Sequence, residues 1–150
     1  MRILLLVLFL SAPVWAEATP AQVAQKLYSW VAKVDIQVSK RLPEVQQFLT
    51  PELYDQLNRA YHLDSNEGVF LDFDPWSNSQ MGAEKYTCGP ATISGTMAKV
   101  PITVRLLHGQ GKTNKYSCVL LHKTAGWQVA NLVYDPKFNL MSVLKDLNKL

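Results

Sequence analysis

The sequence predicts an α+β domain: helices first, then an antiparallel meander, then a short helix. Three observations predict it. Apolar residues between Val23 and Val38 recur with a period of 3.6 residues. From Lys85 the period falls to two, with turn residues at Gly109-Gln110-Gly111 and Thr124-Ala125-Gly126. Helical patterns precede strands rather than alternating with them, which excludes a β-α-β plan. The chain has 150 residues, 48% hydrophobic and 18% charged, enough for one packed core and too apolar for a disordered chain.

The first sixteen residues read as an address. Met1-Arg2 supplies a positive start, Ile3 to Leu10 is an unbroken apolar run, and Ser11-Ala12-Pro13 breaks it before Val14-Trp15-Ala16. This is the three-part pattern of a secretory signal peptide cleaved after Ala16. Eight residues of helix span about 12 Å against a hydrocarbon core of roughly 30 Å, so the run is too short to cross a bilayer. Cleavage leaves one domain, residues 17–150, and removes Arg2 from a formal charge of +3. No cysteine lies near the cut to carry a lipid, no later stretch is long and apolar enough to span a membrane, and N-x-Ser/Thr is absent. The expected product is periplasmic or secreted and soluble. Its small, scattered positive charge argues against a nucleic-acid partner.

Thr19-Pro20 opens the first helix with a good N-cap and a proline where proline is tolerated. Val23, Leu27, Trp30, Val31, Val34 and Val38 form its stripe, and the pattern predicts a helix to about Leu42, before Pro43. Pro43 to Phe48 reads as a short helical turn. Thr50-Pro51-Glu52 repeats the capping signal, and Leu53, Leu57, Ala60 and Tyr61 carry a helix from Pro51 to about His62. Residues 63–85 form a long irregular segment, of a kind often functional, with room for a short strand between Val69 and Trp76. Strands follow at Tyr86–Ile93, interrupted at Gly89-Pro90, then Met97–Leu107, Tyr116–His122 and Trp127–Tyr134. Leu140, Val143, Leu144 and Leu147 return to helical spacing.

Cys88 and Cys118 are the only cysteines. An even count in an exported chain favours one disulfide, worth about 3.7 kcal/mol on chain-entropy grounds. A simple meander opposes it: the two strands would flank a common neighbour and stand about 9–10 Å apart. A non-sequential strand order, or a bend at Gly89-Pro90, would bring them together; otherwise the thiols stay free.

Leu27-Tyr28-Ser29-Trp30, Phe48-Leu49-Thr50-Pro51-Glu52-Leu53, Asp72-Phe73-Asp74-Pro75-Trp76 and Gly126-Trp127-Gln128-Val129 through Tyr134 together resemble the nuclear-transport-factor-2-like (cystatin-like cone) fold. The look-alikes are exported bacterial proteins of unknown function with that fold, over most of residues 20–150. The resemblance implies a curved sheet wrapped round the long helix, an open cavity, and homodimers formed through the sheet.

Motifs for familiar chemistry are missing. Asp64-x-Asn66-x-Gly68 begins like a calcium loop, but position twelve falls on Pro75 and the glycine comes one place early. Ser142-x-x-Lys145 stands without the other parts of a penicillin-binding site. His62, His108 and His122 lie in unrelated elements, and neither they nor the cysteines are spaced as metal ligands. No cofactor and no metal is expected. Asp72 and Asp74 form a candidate carboxylate pair, with Tyr86 or Tyr134 as partners if the cone works as an isomerase or hydrolase. The plainer reading is that Asp74-Pro75 starts a turn and Asp72 is solvated. Trp30 and Trp127 are expected in the core. Trp76, in a polar loop without periodicity, is a candidate exposed contact for a partner or ligand, with packing over the cone mouth as the alternative. The residues therefore favour a non-enzymatic binding module for a small molecule or protein, with Asp72, Asp74 and Trp76 as its contacts and no catalytic group assigned. An inhibitor or immunity protein for a secreted toxin, or a small cone-fold enzyme, are the rival readings.

Overall fold

In the computed structural model, which describes residues 16–63 and 70–149, a long first helix lies against one face of a six-stranded antiparallel sheet. The helix, α1, spans Pro20–Val34. Its start is the one the sequence predicts: the Thr19 hydroxyl accepts from the Gln22 N–H at 3.3 Å, and the Gln22 side chain accepts from the Thr19 N–H at 2.8 Å. Val23, Leu27, Val31 and Val34 are buried.

The helix ends earlier than its stripe suggests. Asp35 takes a positive φ of 49°, and its N–H closes on the Val31 carbonyl. The chain then makes a 3₁₀ turn at Asp35–Gln37, the one-turn helix α2 at Val38–Arg41, and a second 3₁₀ stretch at Leu42–Phe48. Val34-Asp35-Ile36 are all weak helix formers, so the break falls where propensity is lowest. Val38 and Leu42 stay buried across it, which is why the apolar spacing runs on. Helix α3 spans Pro51–Tyr61; Thr50 caps it, and its own N–H donates to the Val129 carbonyl of the sheet at 2.8 Å.

The strands are β1 (Ala83–Cys88), β2 (Thr92–Ser94), β3 (Met97–Leu106), β4 (Thr113–Lys123), β5 (Gly126–Asp135) and β6 (Phe138–Asn139), followed by helix α4 (Leu140–Leu147). The order is β1-β3-β4-β5-β6, with β2 also on β3. Register shifts in β1, between β4 and β5, and at the β5–β6 pairing supply the bends of the sheet. The helices and strands appear in the predicted order, and the α+β plan holds.

β1 and β2 are one edge strand cut in two. Pro101 of β3 has no N–H, and its carbonyl faces this edge, accepting from Gly89 at 2.8 Å. A strand residue's N and O point the same way, so the missing donor also faces the edge, and pairing lapses there. A Cβ at position 89 would meet the Pro101 ring at 2.7 Å, so glycine permits the approach.

Inward positions alternate strictly. Val100, Ile102, Val104, Tyr116, Cys118 and Leu120 are buried, and Ser117, Val119 and Leu121 face outward. Trp30 and Trp127, expected in the core, are only partly buried at its margin, and the Trp30 indole N–H donates to Glu44 at 2.9 Å.

The expected disulfide is not formed: Cys88 and Cys118 are both free thiols. The sheet is the simple meander that opposes the bond. Cys88 pairs with Ile102 and Cys118 with Val100, on opposite sides of β3. Two strand spacings, about 9–10 Å, exceed the roughly 7 Å limit for bridging. Burial pushes the Cys88 thiol up to about 11 and the fully buried Cys118 higher still. Roughly one Cys88 in a thousand is then thiolate at pH 8. An aromatic disulfide reagent without reductant should find Cys118 silent and Cys88 slow in the native protein, and both thiols after denaturation. Denatured protein that titrates no thiol would overturn the free-cysteine assignment.

The signal segment lies, except for Ala16, outside the described residues. No helix among the described residues is long and apolar enough to cross a membrane.

Candidate functional site

The segment between α3 and β1 is where the chain departs most from its sequence reading. Residues 70–82 form no strand of the sheet; Asp74 and Ser79 instead pair as a closed turn. Asp-Pro at its start is the composition such a turn favours. The Asp74 carboxylate accepts from the Trp76 and Ser77 N–H groups, both at 3.1 Å, and fixes the loop.

This turn carries Trp76 into the fold. The indole is completely buried. Its ring meets Tyr28 edge-on at 6.1 Å, and its N–H donates to the Tyr61 hydroxyl at 3.2 Å. Trp76 is therefore not an exposed contact, and the packing alternative is the observed one. Burying a loop also buries its carbonyls, and each has a donor. Tyr134 donates to the Pro75 carbonyl at 2.8 Å, Tyr116 donates to that of Trp76, and the Asn114 amide serves Ser77 and Asn78 at 3.0 and 2.8 Å. Tyr116 spends its one proton on Trp76, so the 2.8 Å bond between the Tyr28 and Tyr116 oxygens must run from Tyr28. Burial holds all three phenols well above the ordinary tyrosine range, so they remain protonated donors. The space between the sheet and the helices is thus filled by the chain's own indole and a ring of tyrosines.

The open space lies beside this plug. A cleft runs between the Asp35 break and the 70–84 segment in two adjoining lobes, about 450 and 330 Å³, which share Asp35, Val38, Asp74 and Gly82. Phe70, Leu71, Phe73 and Ile36 wall the larger lobe. Ile36 is 89% exposed, an unusual place for an isoleucine, and follows directly from the positive φ at Asp35 that turns the chain outward. The smaller lobe is walled by Val31, Leu107 and Tyr86 and is rimmed by Glu84.

Polar groups converge on this cleft. Burial raises the Asp74 carboxyl above the usual aspartate range, its hydrogen bonds from Ser77 and Trp76 oppose the rise, and the charge of Asp35 adds to it. The Tyr86 hydroxyl lies within the field of both aspartates and has no hydrogen-bond partner among the described residues. Tyr61 accepts from Trp76, and its own proton has no acceptor among the described residues.

Of the residues singled out in the sequence, the structure places Asp74 in the cleft wall and Trp76 behind it. Asp72 is exposed and is not part of the wall; its carbonyl accepts from Gln80 at 2.9 Å. The carboxylate that joins Asp74 is Asp35, not Asp72. Sequence reasoning missed Asp35 and Ile36, and the one signal for them was the weak helix propensity at the end of α1's stripe. No group of His, Cys, Asp and Glu among the described residues is arranged to hold a metal ion.

No protein-family model matches the chain, and no curated protein matches it in sequence. Among solved structures, a de novo designed protein with a curved β-sheet is similar at 10% identity and a TM-score of 0.45, over 87% of this chain and 96% of its own. A protein from Campylobacter jejuni named as an NTF2-like transpeptidase is similar at 15% identity and a TM-score of 0.36, over 72% of this chain and 90% of its own. Both are remote likenesses of shape, and the α+β assignment rests on the chain's own helices and strands.

Proposed function

We propose that this is an exported, non-enzymatic binding module of nuclear-transport-factor-2-like architecture, and that its ligand sits in the two-lobed cleft beside Asp74. The observation that carries the reading is the pairing of apolar walls with unspent polar groups in one concavity, while the cone interior is occupied by Trp76. The exposed Ile36 and Phe70 side chains, 89% and 51% accessible, give a ligand apolar area to cover. The non-enzymatic reading is supported by the two aspartates themselves: Asp72 stands in solvent, and both Asp74 oxygens are engaged by main-chain N–H groups that hold the plug. Export rests on the Met1–Ala16 pattern, and mass spectrometry of the secreted protein should find Glu17 at the N-terminus.

A fragment screen read by backbone amide shifts tests the site. Aromatic fragments should perturb the amides of Ile36, Phe70 and Gly82, and Ile36→Ala should weaken them about threefold to tenfold, as expected for losing a few apolar contacts. Hits that all fall elsewhere, or none at millimolar fragment, would remove the cleft as the binding site.

A further inference from the structure

Resting on that binding reading, we propose that the cleft selects an organic cation, a protonated or quaternary amine carried on an apolar body. The lining supports this by what it contains and what it lacks. Asp35 and Asp74 border both lobes; Glu84 rims the smaller one, but its charge is already paired with Arg105 at 2.9 Å, so the two aspartates carry the selectivity. Among the described residues, no lysine, arginine or histidine lines either lobe. A half-buried carboxylate usually has a cationic partner, because desolvating an unpaired charge is costly. Among the described residues Asp74 has none: its hydrogen bonds come from neutral N–H groups, and the charge of Asp35, which acts on it, has the same sign.

The backbone holds this arrangement in place. Asp35 keeps a positive φ at the helix break, a conformation that costs a non-glycine residue energy, and so its carboxylate stands at the mouth of both lobes. The Tyr86 ring gives the smaller lobe an aromatic face, and Phe70 and Phe73 give the larger lobe two more. Aromatic faces beside carboxylates suit an ammonium group, which gains from the ring quadrupole as well as from the charges. An anion would meet the two unpaired aspartates, with Arg105 already engaged by Glu84, and a neutral ligand would leave the mutual repulsion of the two aspartates unrelieved.

The test compares three probes of one shape by calorimetric titration and amide shifts: phenylbutylammonium, phenylbutanol and phenylbutanoate. The ammonium should bind at least tenfold more tightly than the alcohol, and the carboxylate more weakly than either. Asp35→Asn keeps the side-chain shape at a residue whose carboxylate makes no hydrogen bond to the described residues. It should cut ammonium affinity fivefold or more and leave the alcohol within twofold. Asp74→Asn should act likewise, with its fold checked by circular dichroism because it also holds the turn. Equal binding of ammonium and alcohol in the cleft would overturn the cation selectivity and leave the binding reading standing. Tighter ammonium binding that Asp35→Asn does not weaken, or shifts outside the cleft, would overturn the assignment of the charge. Failure of all three probes would count against the cleft itself.

Discussion

Trp76→Ala is expected to cost about 3–5 kcal/mol, the range for truncating a buried large aromatic. Domains of this size are typically stable by roughly 5–15 kcal/mol, so the variant should be marginal. Three losses combine. The indole is completely enclosed, so its whole apolar area returns to water on unfolding. Its edge-on contact with Tyr28 and its hydrogen bond to Tyr61 vanish. The surrounding tyrosines are held by other bonds and collapse poorly into the space, so a cavity remains. Urea denaturation followed by circular dichroism measures the change. Added indole should restore part of the loss, because a ligand that fills the cavity binds only the folded state. A loss under 1 kcal/mol with no indole effect would show that the plug is not part of the core.

Tyr116→Phe is expected to cost about 2–6 kcal/mol, because it orphans two buried groups at about 1–3 kcal/mol each. The Trp76 carbonyl loses its donor, and the Tyr28 hydroxyl loses its acceptor. Tyr28→Phe should cost only about 1 kcal/mol, because Tyr116 keeps its proton on Trp76 and loses one bond to its own oxygen. The asymmetry follows from the direction of the chain, Tyr28 to Tyr116 to the Trp76 carbonyl. Equal losses, or a larger loss for Tyr28→Phe, would reverse that direction.

What the sequence makes legible here is what is local. Caps at Thr19 and Thr50 are written in three or four residues, and the alternation in β4 fixes which side chains face inward. The end of α1 is harder to read, because Val38 and Leu42 keep the apolar spacing on the far side of a break that only Asp35's backbone reveals. Trp76 is harder still. Its burial depends on donors from Tyr116 and Tyr134, some 40 and 59 positions away, and no window of sequence holds both the loop and its partners. A partial signal was present. Tyr116 and Tyr134 occupy inward positions, and an inward hydroxyl needs a buried polar partner, which a purely apolar core does not offer. Of the site, Asp74 was visible as an acid in a turn. Asp35 was not, because a single aspartate at the edge of a helical stripe is ordinary until the chain folds it against a second.

The divided edge of the sheet has a consequence for how this protein behaves at high concentration. A long, flat, unpaired strand is a template on which another copy can add itself, and chains of such additions become fibres. Here the outermost run is interrupted after six residues, and the piece beyond the gap has three. Proline removes a donor at the gap, and Gly89 closes against it. An incoming strand would find no uninterrupted ladder to copy. The same proline that ends pairing inside the molecule thus limits growth outside it.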